Sequence, residues 1–113
     1  MRRGDVYDTR FDPIEGSEAR GRRPAVIVSR DAFNSASPVV VVVPCTTYRE
    51  GRRIYPSQVL LRASQGGLSA DSLAQTEQVR AVSKSRLVRH RGSLSSRTMS
   101  AVAGALAIVL DLA

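Results

Sequence analysis

Val39 to Val43 are five valines in a row, with Pro38 before them and Pro44 after them. A β-branched side chain is stiff about its first torsion and crowds a helix, whereas it packs well on a pleated surface. No other stretch leaves so little choice, and 39–43 is the strongest strand in the chain. Ser37-Pro38 closes whatever precedes it, because a proline pushes the residue before it out of the helical region. Pro44-Cys45-Thr46-Thr47 marks its end. Pro24-Ala25-Val26-Ile27-Val28-Ser29 is a second, nearly unbroken run of the same kind and reads as a buried strand. Between the two, Arg30 to Ser37 has room for a helical turn at most.

The remaining pattern fits around this pair. Asp5 to Phe11 alternates Tyr7, Thr9 and Phe11 with Val6, Asp8 and Arg10, which predicts a strand with one polar face. Asp12-Pro13 stops it. Residues 12–22, rich in Gly and charge, read as a long exposed loop, and 48–55 as a second mobile segment. Gln58–Leu61, Ser72–Gln75 and Leu87–Arg91 are further short strands, the first two separated by Gly66-Gly67. From Ser95 or Ser96, either of which can cap it, a helix runs to the end of the chain. Its apolar stripe is Met99, Val102, Leu106, Val109 and Ala113. Five or six short strands and a terminal helix predict one domain over 1–113, mainly β (α+β), built as a small barrel-like antiparallel sheet with a helix packed on it. The loops 12–22 and 48–56 are long for so small a domain, and such loops on a rigid sheet are where function is expected.

Composition narrows the chemistry. The 113 residues carry 17 Lys and Arg against 10 Asp and Glu, a net charge of +7, and every basic residue except Lys84 is Arg. Such a surplus points to a polyanionic partner: nucleic acid, an acidic protein segment or an anionic membrane surface. A hydrophobic share of 42% is enough for a core, made mostly of Val, Leu, Ile and Ala because aromatic residues are few. The single Cys45 forms no disulfide within the chain, which fits a reducing cytosol. One Cys with one His, His90, makes no His/Cys zinc site and no two-histidine acid–base pair. Only Met1-Arg2-Arg3 precedes the polar Gly4-Asp5, so no apolar signal region is expected, and Met99 to Ala113 is too short to span a bilayer. The expectation is a soluble cytoplasmic protein.

Arg3-Gly4-Asp5-Val6-Tyr7, Phe11-Asp12-Pro13, Gly16-Ser17-Glu18 and Gly21-Arg22-Arg23-Pro24 follow one another near the start of the chain. Asn34, Ser37-Pro38, Val43-Pro44-Cys45-Thr46-Thr47, Pro56-Ser57, Asp71-Ser72, Glu77-Gln78-Val79-Arg80 and Lys84-Ser85-Arg86-Leu87 continue the series. In this order the segments resemble the MazF/PemK-type toxins, sequence-specific endoribonucleases of type II toxin–antitoxin systems. The resemblance covers about residues 2–88, and the terminal helix agrees in position and character. It implies a curved antiparallel sheet of SH3-like barrel type with short helices and a C-terminal helix, usually as a homodimer. It also implies an mRNA interferase that cuts single-stranded RNA with no metal or other cofactor, leaving 2′,3′-cyclic phosphate and 5′-hydroxyl ends. By position, the family's Arg-Pro arginine is Arg23, and its catalytic threonine at the end of the following long strand is Thr46. Pro56, Ser57 and Gln58 match a base-contacting segment, Glu77 and Gln78 a pair that can line the RNA groove, and Ser17 lies in the matched Gly-Ser-Glu.

The residue types suit that chemistry. RNA supplies its own nucleophile, the 2′-hydroxyl, so the protein has to align it and to stabilise charge on a pentacoordinate phosphorus. A planar arginine fork can grip two phosphate oxygens, and a threonine hydroxyl can donate one more hydrogen bond. If the strands carrying Arg23 and Thr46 pair antiparallel, both residues fall at one edge of the sheet. Arginine is a poor general base near neutral pH, which leaves Glu18 as a base or as a partner that positions Arg23. His90 lies between Arg89 and Arg91 outside the matched segments. Arg49, Arg52 and Arg53 are expected to grip phosphates. Each residue also has a plainer reading: Arg23 as a surface ion-pair partner, Thr46 as a strand-end hydroxyl, Cys45 as a small core residue, Glu77 and Gln78 as turn stabilisers.

Asp8, Thr9 and Ala19 depart from the family pattern near the expected RNA entrance, which bears on the bases that are read. A cognate antitoxin with an acidic flexible tail is the implied partner, and the +7 charge makes one surface attractive to both tail and RNA. Two other classes compete with the nuclease. One is a non-enzymatic gyrase-inhibiting toxin of the same fold, and the other a plain RNA-binding barrel, for which the surface aromatics are few.

Overall fold

The computed structural model describes residues 1–112. In chain order the elements are β1 (Asp5–Arg10), β2 (Arg22–Ile27), α1 (Asp31–Ala36), β3 (Val39–Thr47), β4 (Gln58–Leu61), β5 (Ser72–Gln75), β6 (Arg80–Ser83), β7 (Leu87–Ser93) and α2 (Ser96–Val109). Single 3₁₀ turns stand at Gln65–Gly67, Thr76–Gln78 and Lys84–Arg86. The strands form one seven-stranded sheet, antiparallel at every pairing, in the order β4-β5-β3-β2-β1-β7, with β6 beside β3. Its two ends, β4 and β7, are not joined by a ladder, so the barrel-like sheet stays open.

The valine run organises the sheet, and it extends further than its composition suggests. β3 does not stop at Pro44 but continues to Thr47 and changes partners there. Val39–Val42 pair with β6, whereas Cys45–Thr47 pair with β5. Val28 N–H donates to the Val41 carbonyl at 2.9 Å, so alternate residues of β3 point their polar groups at β2 and Pro44 points its nitrogen away. That nitrogen faces the gap between the end of β5 and the start of β6. A proline, having no N–H, is harmless in a central strand only at such a place. Two packed clusters explain why valine is needed at successive positions. Val43 and Cys45 join Val6, Val26, Leu61, Ala74 and Met99, while Val40 and Val42 join Phe11, Ala25, Ile27 and Val82.

Four expectations are corrected. β1 has no exposed polar face apart from Arg10, because Val6 and Asp8 are buried as well as Thr9. β2 starts at Arg22 rather than Pro24 and ends at Ile27, since Arg22–Pro24 pair with Arg10–Asp8 of β1. β6 is a seventh strand with only Val82 buried, and its ladder to the valine run holds it where its composition would not. α2 ends at Val109 instead of running to the end of the chain. Asp111 adopts φ +56°, and Leu112 N–H reaches the Ala107 carbonyl at 2.8 Å, a Schellman turn that stops the helix. Its buried side is Met99, Val102 and Ala105, with Leu106 half-buried and Val109 exposed. Ala113, the last member of the expected stripe, lies outside the described residues. Among the described residues, no helix is long and apolar enough to cross a membrane.

The 12–22 segment is not a free loop. Ala19 is buried, its N–H donates to Gln78 Oε1 at 3.1 Å, and Gln78 Nε2 donates to the Ser17 carbonyl at 3.2 Å. Arg86 holds its start through the Arg10 and Asp12 carbonyls.

Candidate active site

Arg23 and Thr46 come from adjacent strands. The β2–β3 ladder ends where Ala25 pairs with Pro44, and Arg23 and Thr46 lie two residues beyond that end, one on each strand. There the strands open into a cleft of about 320 Å³. Arg22, Arg23, Cys45, Thr46 and Thr47 line it from β2 and β3, and Ser69, Ser72 and Arg91 from the far side. Arg23 and Thr46 are both half-buried, so each side chain is held yet reachable. Arg23 Nε–H donates to the Arg20 carbonyl at 2.9 Å, which anchors the guanidinium by one edge.

The far wall depends on glycine. The 65–67 turn lies directly on β7, where a Cβ on Gly67 would sit 2.1 Å from the Arg91 carbonyl oxygen and one on Gly92 2.7 Å from the Gly66 carbonyl carbon. Gly67 also takes φ +72°, a left-handed conformation that side chains resist. This contact brings the Gly67 carbonyl to Arg91, which donates to it from Nη2 at 2.9 Å and Nε at 3.2 Å.

Asp8 is the carboxylate of the site. It is 8% exposed, with Oδ1 3.2 Å from Arg91 Nη1 and Oδ2 3.8 Å from Arg22 Nη2. Sequence reasoning registered Asp8 only as a departure from the family pattern and passed over Arg22, Arg91 and the glycines. The available signal was an acid on the same face of β1 as Val6, together with Gly66-Gly67 and Gly92, which mark close backbone approach. Cys45 reaches the cleft but is 1% exposed. Burial pushes its thiol up to about 12, against a smaller downward pull from Arg23. The thiol therefore stays protonated near neutral pH and is no nucleophile.

The other expected site residues lie elsewhere. Glu18 accepts from Glu15 N–H at 2.8 Å inside its own loop, and the group that receives Arg23 Nε–H is the Arg20 carbonyl. Ser17 is exposed and tied to Gln78 through its carbonyl. Glu77 accepts from Ser57 Oγ at 3.0 Å and from Gln58 Nε2 at 2.8 Å, so these three gather into one polar cluster next to the exposed Pro56. Arg52 reaches the Thr47 carbonyl at 3.3 Å, Arg53 covers the Tyr55 ring at 4.8 Å, and Arg49 is exposed in the same turn. His90 lies outside the cleft, its Nε2 3.5 Å from Asp5 Oδ1. Burial raises the Asp5 carboxyl, but the Arg2 N–H, the Ser93 hydroxyl and His90 together outweigh it and hold Asp5 below the ordinary value of 3.8.

Comparison with known proteins places this geometry. The chain is 41% identical over 117 residues to Endoribonuclease MazF9 of Mycobacterium tuberculosis, covering 99% of this chain and 98% of that protein. An endoribonuclease in complex with its cognate antitoxin from a mycobacterial species superposes with a TM-score of 0.82 at 28% identity, covering 100% of this chain and 97% of that one. MazF from Deinococcus radiodurans superposes at 0.83 with 26% identity, covering 99% and 97%. The family model of PemK-like, MazF-like toxins of type II toxin–antitoxin systems matches residues 2–110. With nearly its whole length matched, and an open antiparallel sheet that carries Arg23 and Thr46 to one cleft, the chain belongs to the PemK/MazF-like toxins.

Proposed function

We propose that this toxin is an endoribonuclease that cuts single-stranded RNA at particular sequences by attack of the RNA's own 2′-hydroxyl, with Arg23 and Thr46 at the scissile phosphate. The observation that carries the reading is the meeting of these two side chains in one cleft that also holds Arg22 and Arg91. The 2′-oxygen bonds to phosphorus and the P–O5′ bond breaks, leaving a 2′,3′-cyclic phosphate and a 5′-hydroxyl. The attacking hydroxyl loses one proton and the leaving oxygen gains one. Negative charge grows on the phosphoryl oxygens between these events. Fixed guanidinium and hydroxyl donors stabilise it there without reorganising, and arginines can supply this stabilisation where other nucleases use a metal. In this step Arg23 is a hydrogen-bond donor to the phosphoryl oxygens, with its Nε–H already held by the Arg20 carbonyl.

The partner fits the same electrostatics. An acidic, flexible antitoxin segment and RNA are both drawn to a surface of this charge, so they compete for it. The test is incubation of the purified chain with a long, structure-poor RNA in EDTA, with every new end mapped. Discrete cuts bearing cyclic-phosphate ends, lost in Arg23→Ala, support the reading. Intact RNA from a chain that still arrests growth would overturn it in favour of a protein-binding toxin of the same fold.

A further inference from the structure

We propose that Arg91, held in place by Asp8, is a second phosphate subsite of the cleft and takes the phosphate next along the strand from the one at Arg23 and Thr46. The inference rests on the cleft being an RNA site and adds a residue and a positioning partner to it.

Arg91 differs from the exposed arginines of the surface. Its side chain is 19% exposed, against 56% for Arg22 and 79% for Arg2. A guanidinium has five N–H donors. Nε and Nη2 each give one to the Gly67 carbonyl and Nη1 gives one to Asp8. Two N–H bonds are left, one on Nη1 and one on Nη2, on a side chain that lines the cleft. A fork locked on two sides has little rotamer freedom left to lose when it binds. Asp8 is placed so that it does not repel an incoming anion, since each of its oxygens is turned to an arginine, Oδ1 to Arg91 and Oδ2 to Arg22. Three arginines thus line the cleft beside this one engaged carboxylate. Pairing a partly buried arginine with a carboxylate adds little net stability, but it does fix geometry. The competing role for Arg91 is a strut that holds the 65–67 turn against β7, and the two roles separate in solution.

The experiment is a fluorescence-anisotropy titration of a single-stranded RNA that spans the mapped cut, with 2′-deoxyribose at the cut so that it stays whole. Poly(U) serves as a second probe that does not depend on cleavage. For single strands each neutralised phosphate contributes about 0.7 to the slope of log K against log salt, measured between about 50 and about 300 mM KCl. Arg91→Ala is expected to lower the slope by about 0.7, and Arg91→Lys to restore it. Asp8→Asn keeps the charge of Arg91 but frees its plane, so affinity should fall about fivefold with little change of slope. A neutral methylphosphonate placed at each position in turn should weaken wild-type binding about tenfold at a phosphate flanking the cut, and should cost Arg91→Ala nothing more there. An Arg91→Ala protein with wild-type circular dichroism and an unchanged slope overturns the subsite and leaves the strut. So does a wild-type scan in which only the scissile phosphate matters, a result that needs no variant to fold. RNA that is bound with the expected slopes but never cut overturns the nuclease reading and upholds the subsite.

Discussion

The cleft and the polar cluster around Glu77 are built from similar materials and do opposite things with them. In the cluster, Ser57 and Gln58 donate to Glu77, Gln58 Oε1 accepts from Tyr55 N–H, and Gln78 grips the 12–22 segment with both ends of its amide. These groups satisfy one another and brace two loops. In the cleft, Arg23 gives one N–H to a backbone carbonyl and Arg91 gives three to Gly67 and Asp8, which leaves donors at the surface. Residue type is the same guide in both places. What separates a strut from a site is whether its donors already have acceptors within the protein.

Four changes break or sharpen this contrast. The largest effect is expected from Arg23→Ala, which should lower the cleavage rate by about 10²–10³ with little change in melting temperature, as for other preorganised oxyanion donors. A variant that cuts within tenfold of wild type would place the chemistry elsewhere. Thr46→Val keeps shape and removes one donor to a charged phosphate, so a loss of about 10–100-fold is expected in single-turnover cleavage. Equal cleavage by Val and Thr would make that hydroxyl a bystander. Gln78→Ala works on the other region. Loss of its two bonds to the 12–22 segment should cost about 1 kcal/mol and lower the melting temperature by about 4–6 °C, while cleavage stays within about fivefold. A large loss of cleavage without a drop in melting temperature would turn this strut into a contact with RNA.

The smallest effect is confined to acid. Asp5 is held below its ordinary 3.8 in the fold, so the folded chain binds fewer protons there than the unfolded one. Its stabilisation is complete above that ordinary value and is lost as pH falls through the lower, folded one. Melts taken from about pH 7 to about pH 3 should show Asp5→Asn losing less stability across the acid limb than wild type does. Parallel acid limbs would show that Asp5 contributes nothing there.

Arg23 and Thr46 were singled out by the resemblance to the family, and their meeting was legible because they lie at adjoining ends of two β-branched strands that pair antiparallel. The pairing of Asp8 with Arg22 and Arg91 was not. It joins β1, β2 and β7 through contacts up to 83 residues apart, and no local pattern encodes such a contact. β6 was illegible for a related reason: Ala81 and Ser83 are exposed, Arg80 is only half-buried, and the strand exists because Val39–Val42 offer it an edge. The stop of α2 at Asp111 depends on a left-handed residue that is not glycine, so the usual mark was missing.

Pro44 has one more consequence. Five identical residues are nearly blind to a slip, because moving β3 by one position against β2 replaces valine with valine over most of the run Val39–Val43. A slip would, however, swing the nitrogen of Pro44 toward β2, where the ladder calls for a donor that proline lacks. The proline therefore acts as a ratchet tooth on an otherwise smooth rod. Because Arg23 and Thr46 lie equally far beyond the Ala25–Pro44 pair only in the native alignment, the same tooth that lets the sheet change partners also keeps the two halves of the cleft in phase.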